Sequence, residues 1–416
     1  MPWRALLRTS GAVWGLLPAC VWMWIYARQP DALVTAPEGY WEAATAHIAV
    51  VGIVPLALCA AAGAWEAARI RRSGLVDGGA PARSPLAVAS SQLRTVWMAG
   101  LLCGLVALLC VAERAVGGPG RPDLRVLALL GLLVTAHTLA GYAAGLLLPR
   151  TLAAPVVAVA VFLWLSYPVA MEPLWLRQLN GTNLNEGWSY ERTLDARALI
   201  APGLVATGIL LAAVIVIAAR TRPVKLTALL PVAAALALAV PMVTPLGYDP
   251  TSSRDTSLLS CSGEPVRVCL WPEQSEDGDR FRPWVTDAAG RLKEAGVTLP
   301  KTYTPAFAGP TREDVITTLV SGMMPDPAPE CAGRQPWPGE AAYAPVAMWL
   351  ELTAGGDPEE VASRVDDGGK ALSLVQDVRK LPATAQARWY RTNRATLTRC
   401  DLEPRLAATA YRGGSR

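Results

Sequence analysis

Two histidines, His47 and His137, are the residues of this chain that could most directly support proton or metal chemistry. Both lie inside or beside apolar runs, and His137 is at the middle of the run 126–148. A polar side chain at that depth in a membrane helix is a candidate functional residue. The alternative is a hydrogen bond between helices, worth about 1 kcal/mol. Both interpretations of His137 stay open at this point.

Four cysteines lie in the last third of the chain: Cys261, Cys269, Cys331 and Cys400. An even number of cysteines on one side of a membrane favours disulfides in an oxidising compartment. Four cysteines permit three pairings. We expect Cys261–Cys269 and Cys331–Cys400, because residues 262–265 can turn a local hairpin. A zinc site is the alternative, but the spacing offers no C-x-x-C pair and no nearby histidine.

Catalytic motifs are absent from the sequence. No G-x-x-x-x-G-K-[ST] occurs, so this chain is not expected to bind nucleotide through a P-loop. No histidine follows position 137, which excludes a Ser-His-Asp triad or a Cys-His pair in the tail. The acidic stretch 273–279 is typical of a solvated loop. The sequence therefore predicts no enzyme, with no catalytic residue, cofactor or metal of its own.

The elements that must position these residues are membrane helices. The chain has 416 residues, of which 52% are hydrophobic and only 17% charged, well below the charged fraction of soluble domains. A net charge of +4 gives no indication of nucleic-acid binding. Seven apolar runs without Asp, Glu, Lys or Arg have lengths suited to helices that cross a bilayer. They are 11–27, 46–65, 95–112, 126–148, 151–170, 198–219 and 226–246.

The charged residues divide the chain and orient it. Residues 1–244 contain 18 Lys+Arg and 11 Asp+Glu, whereas residues 245–416 contain 20 and 23. With a cytoplasmic N-terminus, the inner segments hold eleven basic residues and the outer loops seven, as the positive-inside rule requires. Seven spans then place the tail outside. Within that tail, 265–271 reads as a strand and most of the rest as helices.

Residues 1–219 resemble the membrane subunit of type 2 ATP-binding-cassette (ABC) exporters. The resemblance lies in six spans after a short amphipathic stretch, residues 1–10. In that family, a cytoplasmic loop between spans two and three docks on the ATPase, and here it corresponds to 66–94. Short, partly re-entrant helices between spans five and six correspond to 171–197, with Trp175, Trp188 and Tyr190. The docking residues that the resemblance implies are Glu66, Arg69, Arg71, Arg72, Leu75, Val76 and Leu86.

The resemblance implies a permease subunit with separate partners. These are a cytoplasmic ATPase, in two copies, that binds ATP and Mg²⁺, and a second permease-like subunit in a homodimer or heterodimer. The expected domains are a six-span all-α membrane domain (1–225), a seventh helix (226–246) and a mainly helical α+β extracytoplasmic domain (247–416). The last two depart from the family pattern. A non-transporting membrane sensor with an outer binding domain is therefore the alternative function.

The composition also suggests a source. The chain contains 33 Arg against 5 Lys and is rich in Ala and Gly. This composition resembles that of proteins from high-GC actinobacteria. It predicts a location in a bacterial cell membrane, with the tail facing the cell wall.

Overall fold

The computed structural model describes residues 11–27, 37–72, 84–219, 221–305, 311–325, 329, 337–364 and 369–412. The side chains of 13, 14, 16, 17, 27 and 72 are excluded from that description. The chain forms two compact units, Met1–Asp255 and Thr256–Arg416.

The first unit consists of apolar helices. Six of its described helical segments are long and apolar enough to cross a membrane, which indicates that the chain is a membrane protein. The predicted span 11–27 forms a helix of 17 residues, shorter than any of those six, and its crossing stays a prediction. In chain order the helices are α1 (Gly11–Ala27), α2 (Trp41–Val51), α3 (Ile53–Arg72), α4 (Pro85–Ala115), α5 (Leu124–Leu147), α6 (Ala153–Ser166), α7 (Ala196–Ala218), α8 (Arg222–Leu226) and α9 (Leu229–Val243).

The second predicted span, 46–65, is longer than expected and is interrupted. Its two helices, α2 and α3, meet at Gly52, whose N–H still donates to Ile48 O at 2.9 Å. The interruption follows from the sequence, because Pro55 has no N–H to donate back to residue 51. The helix pair also extends past both predicted ends and includes Glu66 and the arginines that follow it.

Helices α3 and α5 pack along a seam of small residues. A Cβ added at Gly141 would lie 1.9 Å from Ala60 O, and one added at Gly145 would lie 2.5 Å from Ala64 O. Backbone therefore meets backbone, as in the small-xxx-small contacts of membrane helices. The two helices run in the same direction, since Ala60 faces Gly141 and Ala64 faces Gly145.

Contacts between helix ends define two opposite rims of this unit. At the first, here the Glu42 rim, Gly39 N donates to Arg114 O at 2.9 Å and Asp123 N donates to Thr45 Oγ1 at 3.1 Å. Two short strands, β1 (Arg192–Leu194) and β2 (Thr251–Ser253), pair there in antiparallel fashion. The opposite Arg71 rim holds the end of α3 beside the end of α5.

The boundary between the two units lies later in the chain than we predicted, because of this strand pair. We predicted that the outer domain begins at 247, but residues 247–255 belong to the membrane unit. The physical reason is that Asp249 accepts a hydrogen bond from Arg192 at 2.5 Å and that β2 pairs with β1 of the membrane unit.

The second unit combines a small sheet with helices. Strand β3 (Ser260–Ser262) pairs antiparallel with β4 (Arg267–Leu270), which pairs parallel with β5 (Thr302–Tyr303). Trp349 and Trp389 are fully buried within one apolar core, and Trp271 is also buried. The strand predicted at 265–271 thus exists, and the mainly helical α+β character is confirmed. The helices are α10 (Gly278–Glu294), α11 (Arg312–Ser321), α12 (Glu340–Ala354), α13 (Pro358–Ser363), α14 (Lys370–Arg379) and α15 (Ala383–Thr396).

One predicted disulfide is present in this unit. Cys261 and Cys269 face each other in the β3–β4 register and are bonded, with their Cα atoms 4.0 Å apart. Cys400 is also disulfide-bonded. Its predicted partner, Cys331, lies outside the described residues, so that pairing stays a prediction.

Candidate functional site

A helical stalk at the Arg71 rim is the strongest candidate functional site. We define it as the end of α3 from Glu66 and the start of α4 as far as Arg94. The 31 residues of α4 span about 46 Å at 1.5 Å each, against a hydrocarbon core of about 30 Å. Its polar first turns extend beyond that core, and Ser84 caps them by accepting from Ala87 N at 3.2 Å.

The prediction of a docking loop over 66–94 is partly wrong, because most of its described residues are helical. We expected 66–94 to be a solvated loop, but 66–72 and 85–94 are helical. Only the connection 73–84 separates the two helices, and its residues 73–83 lie outside the described residues. Hydropathy misled here, because charged residues end an apolar run without ending the helix.

Glu66 is buried and braces the stalk. Its side chain is 1% exposed and forms an ion pair with Arg69 at 2.6 Å. Arg69 also donates to Gln92 Oε1 at 3.3 Å, so the same guanidinium connects α3 to α4. Glu66 is one of the docking candidates named from the sequence, and its burial and its pairing with Arg69 argue against contact with a docked partner.

Arg71 joins the stalk to the neighbouring helix. Its guanidinium donates to Leu148 O at 2.9 Å and to Gly145 O at 3.4 Å, satisfying carbonyls at the end of α5. Arg150 in turn donates to the backbone carbonyl of Arg71 at 2.8 Å. A cation at a helix C-terminus is also favoured by the helix dipole. These two arginines therefore hold α3 and α5 together at the rim.

The surface that the stalk presents lies on α4. Leu86, Ser90 and Arg94 are all exposed and lie four residues apart, which places them on one helix face. Of the predicted docking residues, Leu86 is on this face and 37% exposed. Leu75 and Val76 lie outside the described residues, and only the backbone of Arg72 is described.

His137 is buried within α5. Its Nδ1 donates to Leu133 O of the same helix at 2.8 Å, and His47 makes the same contact with Ala43 O. This hydrogen bond of His137 lies within one helix, so it is not the bond between helices that was one of the two interpretations. Its Nε2 has no hydrogen-bond partner among the described residues.

The connection 171–197 is folded against the Glu42 rim. It follows a short 3₁₀ helix, Tyr167–Ala170, and contains a second, Leu174–Gln178. Trp175 is half-buried, whereas Trp188 and Tyr190 are buried. The Tyr190 hydroxyl donates to the carbonyl of residue 38 at 2.5 Å. These aromatic residues pack inside the rim, so they do not form an exposed binding surface.

Glu42 is the residue that sequence reasoning missed. One carboxylate oxygen accepts from Arg125 at 2.9 Å, from the Thr193 hydroxyl at 2.9 Å and from Leu194 N at 3.1 Å, and the other accepts from Tyr40 at 2.9 Å. Helix α2, helix α5 and strand β1 therefore meet at this carboxylate. Its position in the first turn of α2 was the available indication.

The second unit contains a half-buried charged cluster. Glu351 is 8% exposed, and its carboxylate accepts from Arg364 at 3.1 Å. Burial raises the pKa of Glu351, while Arg364 opposes that shift. On the surface nearby, Arg312 donates to Asp287 at 3.0 Å and, with Arg291, holds the pKa of Asp287 below its usual value. The first pair connects α12 to the end of α13, and the second connects α10 to α11.

No group of His, Cys, Asp and Glu side chains suited to a metal ion occurs among the described residues. A family described as a domain of unknown function (DUF7224) matches residues 268–400, about a third of the chain. That match lies within the second unit. No curated protein and no solved structure matches this chain.

Proposed function

We propose that this chain is the membrane subunit of an ABC-type transporter of the type 2 exporter class, working with separate cytoplasmic ATPase subunits. The observation that supports it is the stalk, a helical projection at one rim with an exposed face formed by Leu86, Ser90 and Arg94. A partner that pushes on this projection would move α3. Because Arg71 and Arg150 tie α3 to α5, the movement would reach the bundle interior.

The basic residues favour a cytoplasmic position for the stalk. The Arg71 rim and the connections on that side contain the dense clusters 69–72 and 220–225, which the positive-inside rule places in the cytoplasm. The β1–β2 pair lies at the opposite rim. The second unit begins three residues after β2, so in this proposal it is extracytoplasmic and gates the exit or binds cargo or a partner.

Docking is tested by removing apolar side chains while keeping every charge. In the variant Leu75→Ser/Val76→Ser/Leu86→Ser, we expect normal membrane insertion and loss of ATPase co-purification and stimulated ATP hydrolysis. The matched control is Val224→Ser/Leu226→Ser, which changes exposed apolar residues of the short helix α8, between α7 and α9. ATPase association should survive in that control.

The outcomes distinguish the two functions. If no ATPase co-purifies with the unmodified chain, the transporter proposal is wrong and a membrane sensor becomes the better explanation. The family match confined to 268–400 favours that second function, because it marks the outer unit as a separable module. If the ATPase associates equally with all variants, the stalk is not its docking site.

A further inference from the structure

The exposed face of α15 carries a basic stripe. Arg388, Arg391 and Arg394 are all exposed and are spaced three residues apart. The opposite face, with Trp389 and Asn393, is buried in the core of the second unit. At 100° per residue, the three arginines therefore cover the side of the helix that points away from that core.

The sequence around this stripe contains no acidic residue. Residues 378–400 contain six basic residues and no Asp or Glu, although the tail 245–416 as a whole is net acidic. None of the three arginines forms an ion pair with another described residue. Arg391 donates to its own helix at Ala387 O, and Arg394 donates to Met323 O at 3.4 Å. Other surface arginines of this unit, such as Arg291 and Arg312, are paired with carboxylates.

We propose that the stripe Arg388, Arg391 and Arg394 binds anionic lipid headgroups. The chemistry that matches three guanidinium groups without a carboxylate partner among the described residues is a dense array of phosphate charges, because an anionic headgroup surface attracts clustered basic side chains. Only nine residues separate Leu246, at the end of the last apolar helix, from Thr256, where the second unit begins. A bilayer is therefore present at high effective concentration.

The stripe favours lipid over an acidic protein for a second reason. Apart from its arginines, the exposed face of α15 has only small side chains, such as Thr384 and Ala395. It lacks the large aromatic or aliphatic anchors that supply most of the affinity at protein–protein interfaces. A surface that offers charge without an anchor suits diffuse electrostatic adsorption to a membrane.

The test places a fluorophore on α15 of the full chain in nanodiscs. The label is attached at Ala395→Cys in a Cys20→Ala background, since the other free cysteines among the described residues, Cys59, Cys103 and Cys110, are buried. Energy transfer to an acceptor on the lipid headgroups is compared between discs of pure phosphatidylcholine and discs with 30% phosphatidylglycerol. Each basic residue near an anionic surface raises the ratio of membrane-bound to free protein surface about fivefold. Three arginines should therefore raise this ratio roughly a hundredfold in discs with phosphatidylglycerol.

We expect high transfer only with phosphatidylglycerol, and its loss as salt is raised. Arg388→Gln/Arg391→Gln/Arg394→Gln should abolish it. The matched control removes three exposed lysines elsewhere on the unit, Lys293→Gln/Lys301→Gln/Lys370→Gln, and should retain it. The charge-conserving replacement of the three arginines by lysine should also retain it, which separates loss of charge from misfolding.

Three results would overturn the proposal. The first is equal energy transfer in both lipid compositions. The second is an equal loss of transfer in the arginine-to-glutamine variant and in the lysine-to-glutamine control. The third is that transfer persists in the arginine-to-glutamine variant. Capture of an acidic protein with no response to phosphatidylglycerol would assign the stripe to a protein partner instead. These outcomes do not depend on ATPase docking, so the two proposals can fail separately.

Discussion

Replacing Gly141 by alanine should weaken the membrane unit through the seam between α3 and α5. The added Cβ would lie 1.9 Å from Ala60 O, whereas ordinary contact begins near 3.4 Å. The helices must therefore separate locally by about 1.5 Å. Overpacking costs about 1–3 kcal/mol. The upper end applies here, because a backbone carbonyl in a helix cannot rotate away as a side chain can.

Gly131→Ala is the matched control on the same helix. A Cβ at Gly131 meets no atom within 4 Å, so this change adds the same methyl group without a clash. Both substitutions gain about 1 kcal/mol from helix propensity. That gain cancels when the two variants are compared, and the difference of about 3 kcal/mol measures the clash alone.

The assay is thermal unfolding of the purified full chain in detergent. At about 2–4 °C per kcal/mol, Gly141→Ala should unfold roughly 6–12 °C below Gly131→Ala. Gly145→Ala should behave like Gly141→Ala, since its Cβ would lie 2.5 Å from Ala64 O. Equal melting temperatures for Gly141→Ala and Gly131→Ala would refute the backbone-to-backbone seam.

Three further predictions concern the rim and the second unit. Glu42→Gln should destabilise the membrane unit by about 1 kcal/mol in the same thermal assay, because the oxygen that accepts from the exposed Arg125 loses its charge; an unchanged melting temperature would contradict this. Replacing Cys261 and Cys269 by alanine should cost about 2.5 kcal/mol in the chain-entropy model and speed hydrogen exchange in the hairpin, so unaltered exchange would count against it. Because the folded pKa of Glu351 is raised above its ordinary 4.5, the unfolded state releases its proton first, and stability should fall as pH rises from 4.5 through the folded pKa. Hydrogen exchange of the α12 amides should follow that pH dependence, and Glu351→Gln should remove it; an identical pH profile in the variant would show that another group is responsible.

Hydropathy located the membrane helices but not their ends. A run of some 20 apolar residues is sufficient to predict a span, and six spans have structural counterparts. The ends were misplaced because Glu66 and Arg71 each find a partner of their own in the folded chain. Arg71 finds carbonyl acceptors on α5, and Glu66 finds Arg69. These partners come from tertiary packing, which a sliding hydropathy window does not include.

The sequence predicted local features of the second unit better than distant pairings. The Cys261–Cys269 bridge closes over eight residues, so its hairpin could be inferred from the turn residues between them. Strands β1 and β2 have three residues each and pair residues about 60 positions apart. Such distant pairings cannot be inferred from local patterns. Glu42 was missed because its partners Arg125 and Thr193 are also distant in sequence.

The contacts of α3 also indicate where the membrane unit can bend. Along its length, α3 is fixed to α5 by backbone contact at Gly141 and by Arg71 at the rim. Helix α2 is fixed separately at the opposite rim through Glu42. Between these two anchored parts lies the interruption at Gly52, where Pro55 removes one helix hydrogen bond. A load applied to the stalk should therefore move α3 and α5 together and bend the helix pair at Gly52, because separating α3 from α5 would break the contact of Gly141 with Ala60.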